Sequence, residues 1–160
     1  MRGIMQIISV RFFQVQIIKI ETGMTCINRK WCKMYRIITN NRLCVEKYGE
    51  QMPMEFLEDG TFMDVLRKTR DYLHTGWRLE THPLTGSIKP NQTPYKSIMV
   101  SDQEVERDEY YTQSMTIENA IASCEKFLAI RQTPDWPENI RADFRLVDLS
   151  LIEGAIQKNL

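Results

Sequence analysis

Between Leu79 and Ser97 the chain reads L-E-T-H-P-L-T-G-S-I-K-P-N-Q-T-P-Y-K-S, a stretch unusually rich in side chains able to do chemistry. A histidine such as His82 is suited by residue type to acid–base work. Lys89 and Lys96 can neutralise a phosphate or carboxylate, with Thr85, Ser87, Thr93 and Ser97 donating hydrogen bonds to the same group. Gly86 lets backbone approach a ligand closely, and Asn91 and Tyr95 extend the polar lining. Upstream, Thr39-Asn40-Asn41 stands where a strand hands over to a helix, whose free N–H groups favour an anion. Each residue also has a plain structural reading. Asn40 or Asn41 can cap the helix, His82 can bond to backbone beside Pro83, the lysines can be solvated, and Pro83, Pro90 and Pro94 can stiffen a connection. A loop this long inside a compact domain is nevertheless uncommon unless it is functional.

The elements that must position these residues follow from periodicity. Tyr35–Thr39 and Met54–Leu57 read as short strands, and Arg42–Tyr48 reads as a helix ended by Gly49. Thr61 and Asp64 form a capping box for the clearest helix, where Phe62, Val65, Leu66, Thr69, Tyr72 and Leu73 recur at helical spacing before Gly76. Trp77–Thr81 and Tyr95–Ser101 are strands entering and leaving the polar loop. Asp102–Glu109 is acidic and aperiodic and reads as an exposed loop. A second long helix opens at Thr116 and Glu118, with Ile117, Ala120, Ile121, Cys124, Phe127 and Leu128 on one face. After the rigid Thr133–Pro137 connection, Ala142–Leu149 reads as a last strand, and Ser150 with Glu153 caps a terminal helix. Alternating strands and helices predict a small single-domain α/β sandwich with a largely parallel sheet flanked by helices. In such sheets ligands gather at the carboxyl ends of the strands, where Asn40, Asn41 and the 82–97 loop would meet.

Composition narrows the function classes. The 160 residues are 42% hydrophobic and 26% charged with a formal net charge of zero, so a general nucleic-acid binder is not expected. Residues 1–33 carry a balance of +5 and the rest −5. The apolar run at 4–20 is broken by Arg11, Gln14, Gln16 and Lys19, so neither a membrane span nor a signal peptide is expected. A strand over Phe12–Ile20 is possible, yet the regular pattern starts at Met34. Residues 1–33 are therefore read as an extension or a misplaced start, and 34–160 as one α/β domain. Cys26, Cys32, Cys44 and Cys124 make no C-x-x-C pair, and with two histidines no zinc spacing arises. Cys44 falls in the first turns of a helix, where a thiolate would be stabilised, although a buried structural thiol is the plainer reading. Glycine-rich nucleotide loops and the G-x-S-x-G elbow are absent, and no cofactor or metal is expected.

Three runs together carry a family resemblance: I-I-T-N-N (37–41), V-L-R-K-T-R-D-Y-L-H-T-G (65–76) and the 81–97 segment. They resemble the GrdX family, small proteins of anaerobic bacteria encoded beside the glycine, sarcosine and betaine reductase genes. Members of that family begin near Met34, so residues 1–33 depart from its pattern. The resemblance implies a cytoplasmic accessory role in amino-acid fermentation, with no established activity to carry over. Two partner classes are then expected at the 82–97 loop, a glycine reductase component or a small anionic ligand. The alternative is a small enzyme acting on a phosphorylated or nucleotide substrate, with His82 as acid or base and Lys89 and Lys96 as clamps.

Overall fold

The computed structural model describes residues 34–85 and 88–159. The 1–33 extension, its possible Phe12–Ile20 strand, and Gly86 and Ser87 of the polar loop lie outside the described residues. Strand β1 (Tyr35–Thr39), helix α1 (Arg42–Tyr48), strand β2 (Met54–Phe56) and helix α2 (Phe62–His74) come first. Strands β3 (Arg78–Leu79) and β4 (Ser97–Ser101) and helices α3 (Arg107–Ile130) and α4 (Glu138–Asn159) follow.

The sheet has the order β2-β1-β4-β3 and is mixed, which corrects the expectation of a largely parallel one. β2 runs parallel to β1, but β4 is antiparallel to both β1 and β3. The cause is the 80–96 segment. It leaves β3 and turns back without crossing the sheet, so the next strand must re-enter in the opposite sense, between β1 and β3. The carboxyl ends of β1, β2 and β3 and the amino end of β4 therefore share one edge.

Strand alternation divides the core between the two faces. Ile38, Ile98 and Val100 pack with Phe62, Val65, Leu66 and Leu73 of α2 and with Ile117, Ala120, Ile121 and Cys124 of α3. Ile37 and Met99 face the other way, onto Cys44 and Tyr48 of α1 and Leu149, Ile152 and Ile156 of α4. All five residues of β4 are buried. A fully buried aliphatic side chain contributes about 1.5–3 kcal/mol, so this central strand holds both layers.

The expected capping box of α2 is present, with Thr61 Oγ1 accepting from the Asp64 amide at 3.2 Å and Asp64 accepting from the Thr61 amide at 2.8 Å. Gly76 follows the helix at φ +91°, a conformation that favours glycine. Two expectations fail toward the C-terminus. Helix α3 starts at Arg107, nine residues before Thr116, because Asp108 and Glu109 suit the positive end of a helix and so belong to its first turn. Only 102–106 remain as acidic loop. The supposed strand Ala142–Leu149 lies wholly inside α4. Its apolar alternation is incidental, since burial at Asp148, Leu149, Ile152 and Ile156 follows the helical period. Ser150 is accordingly mid-helix, donating to the Val147 carbonyl at 2.8 Å rather than capping.

Candidate functional site

At the shared edge, Thr39 and Ser97 are direct cross-strand partners, and their hydroxyl oxygens lie 2.7 Å apart. Both point to the face covered by α1 and α4, and α4 brings the carboxylate of Asp148 to them. Asp148 is buried and accepts from the Ser97 amide at 2.8 Å, the Ser97 hydroxyl at 2.7 Å and Asn41 Nδ2 at 2.9 Å. Asn41 is also the N-cap of α1, accepting from the Leu43 amide at 3.1 Å while its Nδ2 donates to the Arg145 carbonyl at 2.9 Å. Asn40 fastens the incoming loop. Its Nδ2 donates to the carbonyls of Gly60 at 2.9 Å and Pro94 at 2.8 Å, and its Oδ1 accepts from the Lys96 amide at 2.8 Å. The two asparagines thus use their amides on protein groups, tying β1, α1, α4 and the polar loop into one corner.

Cys44 closes this corner, with Sγ 3.3 Å from Ser97 Oγ and 3.9 Å from Asp148 Oδ2. Burial pushes its thiol up to about 12, and the Asp148 carboxylate adds to the rise, so the group stays a thiol and not a thiolate.

Lys96 is buried, with only 6% of its surface exposed. Among the described residues its amine takes part in no ion pair. Burial holds its pKa below the ordinary lysine value, opposed by the charge of Asp148. Lys96, Thr93, Tyr95 and Asp148 line a hollow of about 10 Å³, walled by Ile88, Phe144, Val147 and Leu151. Arg145 sets one side by donating to Tyr95 Oη at 2.8 Å.

Lys89 and Asn91 lie elsewhere, in an open cleft of about 300 Å³ formed with Phe127, Ile130 and Arg131 at the end of α3 and with Pro134 and Trp136. Asn91 Nδ2 donates to the carbonyls of Phe127 at 3.0 Å and Arg131 at 3.1 Å, capping the C-terminus of α3. Its Oδ1 is buried and has no donor among the described residues. Trp136 Nε1 donates to the Gln92 carbonyl at 2.9 Å, and the Lys89 ammonium stands 5.5 Å from the Phe127 ring centre. Ile130 is 72% exposed. His82 lines neither space. It sits on an exposed turn where Nδ1 accepts from the Leu84 amide at 3.1 Å. The predicted residues therefore separate into a buried corner (Asn40, Asn41, Ser97), a hollow beside it (Thr93, Tyr95, Lys96), a cleft (Lys89, Asn91) and a lone turn (His82). A groove of about 500 Å³ between α1 and α4 contains none of them; Arg42, Glu46, Glu138 and Arg145 give it charges of both signs.

Asp148 and Arg145 lie in the segment that alternation makes a strand, so the sequence pattern does not single them out. The signal was nonetheless present, since a helical reading aligns Asp148 with Ile152 and Ile156, and a carboxylate in an apolar stripe needs buried partners. Among the described residues no cluster of His, Cys, Asp and Glu could hold a metal ion, and no helix is long and apolar enough to cross a membrane. No curated protein and no solved structure matches the chain. The family described as GrdX-like protein matches residues 36–157, which span all four strands but for Tyr35, the polar loop and nearly all of α4, and the chain belongs to that family.

Proposed function

We propose that this protein is a cytoplasmic accessory protein of the glycine reductase system, and that the cleft at Lys89 and Trp136 recognises a protein component of that system. Membership of the GrdX-like family supports this reading through the association with reductase genes that the family's name suggests. The observation that carries a docking role is the cleft itself: apolar walls from Phe127, Pro134 and Trp136, a largely exposed Ile130, and Lys89 and Arg131 at its rim. Neither cation lies within ion-pair distance of a carboxylate among the described residues. Aromatic anchors inside a charged rim are how protein interfaces concentrate affinity, and free rim cations steer an acidic partner. The expected ligand is a segment presenting an acidic side chain beside apolar ones.

The test is direct binding of each purified reductase component to the full chain and to two cleft variants. Ile130→Asp and Lys89→Glu should each weaken one component by about tenfold or more, the loss of a single interface anchor. Absence of binding by every component, or equal binding by both variants, sinks this reading.

A further inference from the structure

Helix α4 turns one face to the core and the other to water, and both are apolar. Asp148, Leu149, Ile152 and Ile156 are buried, while Leu146, Val147 and Leu151 on the far side are 56%, 39% and 50% exposed. A surface helix ordinarily keeps its outer face polar, as α2 does with Arg67 and Asp71. Three large apolar side chains within six residues make a patch of the kind that marks an interaction surface. Two small neighbours sharpen this. Gly154 lies inside the helix, where glycine costs stability relative to alanine, and a Cβ built on it would meet nothing within 4 Å. Ser150 donates to the Val147 carbonyl at 2.8 Å, so its hydroxyl does not depend on water. The outer face therefore has a shallow notch at Ser150 and Gly154, flanked by Val147 and Leu151. A charge stands at either end. Asp143 and Lys158 are both exposed, and among the described residues neither belongs to an ion pair.

We propose that this face is the contact of a homodimer, in which α4 packs antiparallel on α4 of a second copy about a two-fold axis between Ser150 and Leu151. The choice of a second copy follows from the order of the residues. Asp143 lies seven positions before Ser150, and Lys158 lies seven after Leu151. Val147 and Gly154 stand three positions before and after in the same way. These offsets keep all four on one stripe, because steps of three and four residues return to the same side of a helix. An antiparallel two-fold pairing then lays Asp143 opposite Lys158 of the second copy, twice, over about 22 Å of helix. Each Val147 enters the notch left by Gly154 of the other copy, and the two Leu151 side chains meet at the axis. A parallel pairing would instead set Asp143 on Asp143 and Lys158 on Lys158. One helix face is small for an interface, so the dimer is a weak one that dissociates on dilution. It shares no residue with the cleft at Lys89, and the inference does not rest on the reductase reading.

The test is sedimentation of the full chain from about 1 to about 100 μM, the range in which weak association shows. The expected result is a monomer–dimer equilibrium that Gly154→Leu abolishes by filling the notch. Leucine is the better helix former and has room there in the monomer, so this variant should keep the circular dichroism of the parent. Asp143→Lys and Lys158→Asp should each weaken the dimer by about tenfold, since each turns two attractions into repulsions. Combined in one chain they should restore it, which two reversals on unrelated surfaces would not do. A chain that stays monomeric throughout overturns the proposal and leaves the face to a different protein. A dimer that Gly154→Leu leaves intact overturns it too, as do reversals whose combination brings no recovery. Binding of reductase components at the cleft is a separate readout, so either idea can fail while the other stands.

Discussion

The corner around Asp148 and the cleft around Lys89 are built partly from one segment, yet they differ in almost every physical respect. At the corner, Ser97 and Asp148 are buried, their hydrogen-bonding groups have partners, and those partners come from β1, α1 and α4. At the cleft, Lys89 is exposed and the space opens to solvent. A polar group moved from water into protein is expensive unless paired, so the corner must be complete to exist at all. The cleft is under no such constraint, and its free charges remain available to something outside the chain. Polar residues that look equivalent along a loop are thus divided by burial into those that hold the fold and those that can meet a partner.

The largest effect expected from this contrast is at Asp148. Asp148→Ala strands the Ser97 amide and takes one partner each from the Ser97 hydroxyl, which keeps Thr39, and from Asn41 Nδ2, which keeps the Arg145 carbonyl, and should cost about 2–3 kcal/mol in urea unfolding. A loss below about 1 kcal/mol would mean that water replaces the carboxylate and that the corner is less closed than described. The thiols come next. With Cys44 pushed up to about 12 and Cys124 to about 11 by burial, both should resist alkylation at neutral pH in the folded chain and react promptly in urea. Rapid native labelling of Cys44 would show that the corner opens.

Lys96 gives a smaller change of opposite sign. Burial lowers its folded-state pKa beneath that of the unfolded chain, so between the two values the unfolded chain holds more protons and stability rises with pH. Below the folded value the full cost of burying the charge is present. Lys96→Met should therefore stabilise the protein at neutral pH by on the order of 1 kcal/mol, with the advantage shrinking as pH climbs through that window. A destabilised variant would show that attraction to Asp148 outweighs desolvation. Smallest of all, Lys89→Glu should leave unfolding within about 0.5 kcal/mol of the parent, so that any loss of partner binding is assigned to the cleft itself.

How much of this was legible in the sequence depended on whether the signal was local. The Thr61–Asp64 box, Gly76 and the α1 boundaries were readable because cap chemistry and periodicity act within a few residues. The sense of β4 was not, since a long loop can return a strand in either direction and only its pairing with both β1 and β3 decides. Asn41 was legible as a cap but not as the group reaching Asp148, 107 positions away. Once 142–149 was read as a strand, Asp148 had no neighbours from which its burial could be inferred. The polar loop was recognisable as special by composition, but its division between corner, hollow and cleft is set by α3 and α4, which arrive later in the chain.

The outer strands of the sheet carry a consequence for how this protein can associate. β2 has three residues and β3 only two. Rows of unpaired backbone groups so short give little template for an added strand, which protects the chain from edge-to-edge self-association. They equally deny a visiting peptide the ladder of main-chain bonds that many recognition domains use. Whatever docks against these two described edges must be read through side chains, and its sequence, more than its backbone, will decide whether it stays.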